Sequence, residues 1–157
     1  MSVIDQAKVK PHTGSSYPEP YGALMDKRSY LLLGAAAGLT QFGANIAILQ
    51  PGGMSSMRHW HMHEDEFVMV TQGEVTLVMD EGETVMRAGD CAAFPAGVPN
   101  GHHFLNRTSA EARFLVIGTD AADEVCTYSD IDMMVTTRNG RSEFTRKDGS
   151  PMPEPSE

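Results

Sequence analysis

Between Gly43 and Gly118, apolar and polar positions alternate with a period near two, in short runs separated by turn residues. Such alternation describes half-buried strands, whose successive side chains point to opposite faces. It predicts strands over Gly43–Leu49, Met57–His61, Glu66–Gln72, Val75–Asp80, Thr84–Arg87, Cys91–Phe94, His102–Asn106 and Arg113–Gly118. Pro51-Gly52-Gly53, Gly73, Glu81-Gly82, Gly89-Asp90, Pro95 to Gly101 and Thr108-Ser109 supply the reversals between them. Weaker patterns predict further strands near Met133–Thr137 and Ser142–Thr145. No internal repeat and no long helical period interrupts the series. The expected fold is therefore all-β, a single-domain jelly-roll barrel whose closure hides the strand edges.

The ends read differently. Residues 1–20 mix Pro, Gly, Ser and Tyr without periodicity and predict an extended N-terminal arm. Residues 21–148 hold the barrel and its flanking strands, and the Pro-rich acidic stretch 149–157 predicts a disordered tail. A chain of 157 residues is long enough to bury one core without staples. The net charge of -9 disfavours nucleic acid and anionic membranes, which need a basic face. Met1-SVIDQAKVKP lacks a basic stretch followed by an apolar one, so no signal peptide is expected. Tyr30-LLLGAAAGL is too short to span a bilayer. Two cysteines without CxxC spacing exclude a disulfide framework and a thiolate zinc cluster, and a cytoplasmic location is expected.

Polar residues on predicted inner faces carry the chemistry. His59 and His61 share a face with Met57, and Glu66 shares one with Val68 and Val70. Buried imidazoles and carboxylates need partners, and a divalent ion supplies them. Asp65 is an alternative to Glu66, although Glu64 and Asp65 read as a solvated turn. Among later residues, His102 travels with Phe104 and Asn106, whereas His103 travels with Leu105; alternation alone leaves both open as a further ligand. His63 shares the parity of His61 only if the strand continues that far. Met57, Met69, Met79 and Met86 are expected in the core as flexible packers. Cys91 reads as a buried, unreactive thiol or a cavity-lining one.

These residues resemble the two motifs of the cupin superfamily. The first is Gly, five residues, His-x-His, three or four residues, Glu, six residues, Gly; Gly53, His59, His61, Glu66 and Gly73 meet it. The second is Gly, five residues, Pro-x-Gly, two residues, His, three residues, Asn. Gly89, Pro95 and Gly97 match it, and His102 and Asn106 restore the final interval after a two-residue insertion. The chain is similar to small single-domain bacterial cupins, some of them labelled sugar-phosphate isomerase-like. The resemblance implies a jelly roll with one divalent metal ion (Fe, Mn, Ni, Co or Zn) on His59, His61, Glu66 and His102. Asn106 would hydrogen-bond behind the ligands, and Met57, Val68, Val70 and Phe104 would line an apolar cavity. It also implies a homodimer, with the N-terminal arm pairing across subunits.

The leading functional expectation is a metal-dependent enzyme on a small oxygen-rich molecule, through dioxygenase-like or Lewis-acid chemistry. A sugar or sugar-phosphate isomerase or epimerase is the alternative, with His63 or His103 as general base. A non-catalytic ligand-binding or sensor module is the third reading.

Overall fold

In the computed structural model, which describes residues 3–152, the chain is built almost wholly from antiparallel strands. β1 (Arg28–Leu31) leads through a helical turn, α1 (Leu33–Ala36), into β2 (Phe42–Leu49). β3 (His59–His61) is short, and β4 (Glu66–Gln72), β5 (Glu74–Met79), β6 (Gly82–Arg87) and β7 (Cys91–Phe94) follow with close reversals. β8 (His103–Leu105), β9 (Ala112–Thr119), β10 (Asp123–Tyr128), β11 (Met134–Arg138) and β12 (Arg141–Thr145) complete the order. One sheet runs β1-β2-β9-β4-β7; a second runs β12-β11-β10-β3, and a third β6-β5-β8. The bridge between His59 and His102 sews the second sheet to the third, with N–O distances of 3.1 and 2.9 Å. The jelly-roll expectation is met.

Alternation explains the core. Along β4, Val68 and Val70 are fully buried while Phe67 and Met69 face outward. Val68 and Val70 pack with Ala47, Leu49, Val75, Leu77, Met86, Phe104, Ala112 and Phe114 between the sheets. Met69 is thus exposed, contrary to its expected core role, because its parity opposes that of the two valines. Gly73, at φ 73°, turns β4 into β5 so tightly that a Cβ there would press on the Glu111 carbonyl. A Cβ on Gly101 would overlap the Ser129 side chain just beyond β10, so glycine is the residue that fits directly before His102.

Two strands escape sequence reading. β1 runs straight into a continuous Leu31-Leu32-Leu33 stretch that masks any alternation. β10 buries Glu124, Cys126 and Tyr128, so a carboxylate stands where the pattern demands an apolar residue. The predicted Met57–His61 strand shortens to His59–His61, and His102–Asn106 shortens to His103–Leu105. The arm carries a 3-10 turn at Gln6–Lys8, bridges Tyr30 at His12, and sets Tyr17 against Tyr128 and Phe144. It folds back on its own barrel. The expected disorder from residue 149 is corrected up to 152: Pro151 bridges Thr145, and Met152 packs near Tyr128 and Met133. The rest of that stretch, 153–157, lies outside the described residues. No helix among the described residues is long and apolar enough to cross a membrane.

Candidate metal centre

Glu66 continues the inner row of Val68 and Val70 to the start of β4, and so carries its carboxylate into the barrel. His59 and His102 face each other across the backbone bridge, which holds their ring centroids 4.9 Å apart. His59, Glu66 and His102 each offer a ligand atom, all within 4.8 Å of one another. His102 Nε2 lies 3.2 Å from Glu66 Oε1. The His102 ring is buried and lies flat on Phe94, with centroids 3.6 Å apart and planes at 7°.

The tautomer of His59 follows from its neighbour. Its Nδ1–H donates to the Met57 carbonyl at 2.9 Å, which leaves the Nε2 lone pair free. Burial, and then the charges of His102 and His61, push its pKa down to about 3, so the ring is neutral at ordinary pH. Burial raises the Glu66 carboxyl, but hydrogen bonding to His102 and the nearby histidines outweigh it and hold it below the usual range. The neutral His59 imidazole and the ionised Glu66 carboxylate, with the His102 imidazole beside them, form a donor set suited to a divalent first-row metal. The residues present fit such an ion.

His61 stands slightly apart. Its ring centroid is 4.9 Å from that of His59, yet its Nδ1 faces Glu124 at 3.5 Å and Glu64 at 3.7 Å. That nitrogen is buried without a hydrogen-bond partner. Glu124 is itself buried and accepts the backbone N–H groups of Met62 and His63, at 2.8 and 2.9 Å. Three of the four expected ligands therefore converge, while His61 groups with two carboxylates, Glu64 and Glu124. Cys126 also lies near His59 and His61, but burial pushes its thiol pKa up, so it stays protonated. Asp65 is exposed and its carboxylate accepts the Ala96 N–H at 2.8 Å, away from the cluster. Cys91, expected to be buried, is exposed.

Other sites move as well. His63 is half exposed, with Nδ1 3.8 Å from Glu124, and His103 turns its Nδ1–H to the Ser56 carbonyl at 3.0 Å. Asn106 does not back the ligands. It is fully buried in its own turn, donating to the Leu49 and Ala110 carbonyls and accepting from Thr108 N–H and Oγ1. The cavity beside His59, Glu66 and His102 has a volume of about 220 Å³. Phe104 lines it, but Val68 and Val70 are spent in the core and Met57 packs beside Tyr128 and Met133. Its walls are more polar than expected: Tyr17, Arg28, Tyr30, Ser55 and Ser56 take those places, and neither His63 nor His103 is among them. Arg28 and Tyr30 share a face of β1, a strand the alternation did not reveal; Tyr17 comes from the arm, where no pattern marks it.

Comparison with known proteins follows the same lines. The Cupin domain (Cupin_2) family model matches residues 45–118. A crystal structure from Silicibacter pomeroyi, described as a sugar phosphate isomerase from a cupin superfamily, is 55% identical. It covers 97% of each chain with a TM-score of 0.95. A candidate sugar phosphate isomerase from Acidithiobacillus ferrooxidans is 26% identical over 82% of this chain and 81% of its own, with a TM-score of 0.73. Protein SchB of Streptomyces halstedii is 33% identical over 85 residues, which take in 54% of this chain and only 59% of that relative. With near-complete overlap at 55% identity and the same barrel, the chain belongs to the cupin superfamily.

Proposed function

We propose that this protein is a metal-dependent isomerase whose substrate is a small phosphorylated sugar. One observation carries the reading: a single cavity joins the ligand set His59, Glu66 and His102 to the hydroxyls of Tyr17 and Tyr30 and the guanidinium of Arg28. Its likeness to the Silicibacter pomeroyi protein supports the substrate class. The dioxygenase-like expectation gains no comparable support. The cavity, of about 220 Å³, has room for a small molecule beside the ligand set.

His59, Glu66 and His102 would hold the ion, with His61 beside them. When bound, it supplies Lewis acidity that polarises a carbonyl oxygen and acidifies the neighbouring C–H. His59 is neutral already and gives up no proton to become a ligand. Burial raises the Tyr30 hydroxyl pKa, so it keeps its proton, which it donates to the Ser55 carbonyl, holding the ring beside Arg28. Glu66 is the carboxylate among the lining residues, and its oxygen not given to the ion would take the proton-accepting role expected of His63 or His103, neither of which lines the cavity.

The test is hydrogen exchange. Protein loaded in turn with Mn, Fe, Co, Ni and Zn is incubated in D2O with aldose and ketose phosphates and followed by proton NMR. The proposal requires loss of the signal next to the carbonyl, with formation of the isomer, in the wild type and not in Glu66→Gln. Absence of exchange with every metal and every sugar phosphate would overturn it.

A further inference from the structure

Three arginines are half-buried: Arg28, Arg58 and Arg113. Arg58 is paired with Asp130 and Asp80, and Arg113 with Glu111. Arg28 has no carboxylate partner among the described residues. A guanidinium taken partly out of water without an opposite charge is costly, and charge-assisted hydrogen bonds are what offset that cost. In a chain with net charge -9, a partner was not lacking for want of acids.

Its surroundings hold it still. The Ser55 carbonyl accepts from Arg28 Nη1 and also from the Tyr30 hydroxyl, the latter at 3.0 Å. The guanidinium carbon lies 5.5 Å from the ring centroids of both Tyr17 and Tyr30, within cation–π range. Tying down the loop at Ser55 accounts for Nη1, but not for Nε, which is buried with no hydrogen-bond partner. Nε belongs to the edge of the fork that meets a phosphate or carboxylate through two parallel bonds. Arg28, Tyr17 and Tyr30 line the same cavity as His59, Glu66 and His102.

We propose that Arg28, flanked by Tyr17 and Tyr30, is the anchor for the phosphate group of the substrate. This rests on the isomerase reading above and extends it, since it divides the cavity into a carbonyl-binding part and an oxyanion-binding part. The substrate then enters with its phosphate on Arg28 and its reacting carbons toward His59, Glu66 and His102. Arg28 is a specificity-determining residue in this scheme, and a sugar lacking phosphate leaves its Nε–H unpaired.

The experiment uses full-length protein stripped of metal, so that an anion cannot be held by an ion. Inorganic phosphate and, separately, acetate are titrated while the side-chain Nε–H signals of arginine are followed by NMR, with Arg28 assigned from R28K. Phosphate should shift the Arg28 signal saturably, with one phosphate per chain. In Arg28→Met the affinity should fall at least about tenfold, the scale of a lost hydrogen bond to a charged group. Arg28→Lys should fall between, because ammonium keeps the charge without the fork. An unmoved Arg28 signal in the wild type overturns the proposal even if both variants fail to fold. Equal phosphate affinity in Arg28→Met also overturns it. Acetate binding as tight as phosphate, with the same dependence on Arg28, would replace phosphate by carboxylate and overturn the assignment. Metal uptake by the same samples reports on the metal centre independently, so a failed anchor and a failed centre give different results.

Discussion

His59 offers a sharp test of the electrostatics at the centre. In the metal-free protein its pKa is pushed from 6.5 down to about 3, chiefly by burial and then by the neighbouring histidines. The unfolded chain therefore binds a proton on His59 at a pH where the folded chain does not. Stability must then rise with pH across the window from about 3 to 6.5, and fall as the solution is acidified through it. The slope is about 1.4 kcal/mol per pH unit well inside the window. Between pH 7.5 and 4.5 this one group removes about 2.5 kcal/mol, a large share of a typical domain's stability. His59→Gln retains a polar side chain with nothing to titrate. Urea unfolding of both metal-free proteins at several pH values reads the effect, since titrations outside the cluster of His59, His61, Glu66 and His102 are common to both. The stability difference between variant and wild type should shift by about 2.5 kcal/mol in favour of the variant on acidification. Two curves that remain parallel from pH 7.5 to 4.5 would refute a buried, neutral His59.

Two further substitutions separate structural roles from metal-related ones. Asn106→Ala removes a buried amide that satisfies two carbonyls and two Thr108 donors, and should cost about 3 kcal/mol in urea unfolding with metal content unchanged; lost metal at intact stability would restore Asn106 to the centre. Glu124→Gln weakens the support behind His61 and the caps on Met62 and His63, and should lower metal affinity about tenfold or more by competition with a chelator; unaltered affinity would show that His61 takes no part.

Much of the barrel was legible because its strands bury one face. β4 and β7 fall at the residues the alternation marks, and the turns at Gly73 and Gly89-Asp90 stand where predicted. The same parity separates His102, buried beside Glu66, from His103, turned to Ser56. Local pattern fails where burial is not apolar. Glu124 sits on an inner face, and its strand was missed for that reason. Arg28, Tyr17 and Tyr30 reach the cavity from a short strand and an irregular arm, and their meeting depends on tertiary packing that no local period encodes. Asn106 was misplaced because its distance from His102 along the chain says nothing of direction: its side chain closes the following turn.

Anomalous diffraction at the absorption edge of a crystal loaded with cobalt addresses the central claim most directly. One peak per chain is predicted, about 2.0–2.2 Å from His59 Nε2, His102 Nε2 and a Glu66 oxygen. A crystal without a peak there, or with its ion held by His61, Glu64 and Glu124 alone, would contradict it.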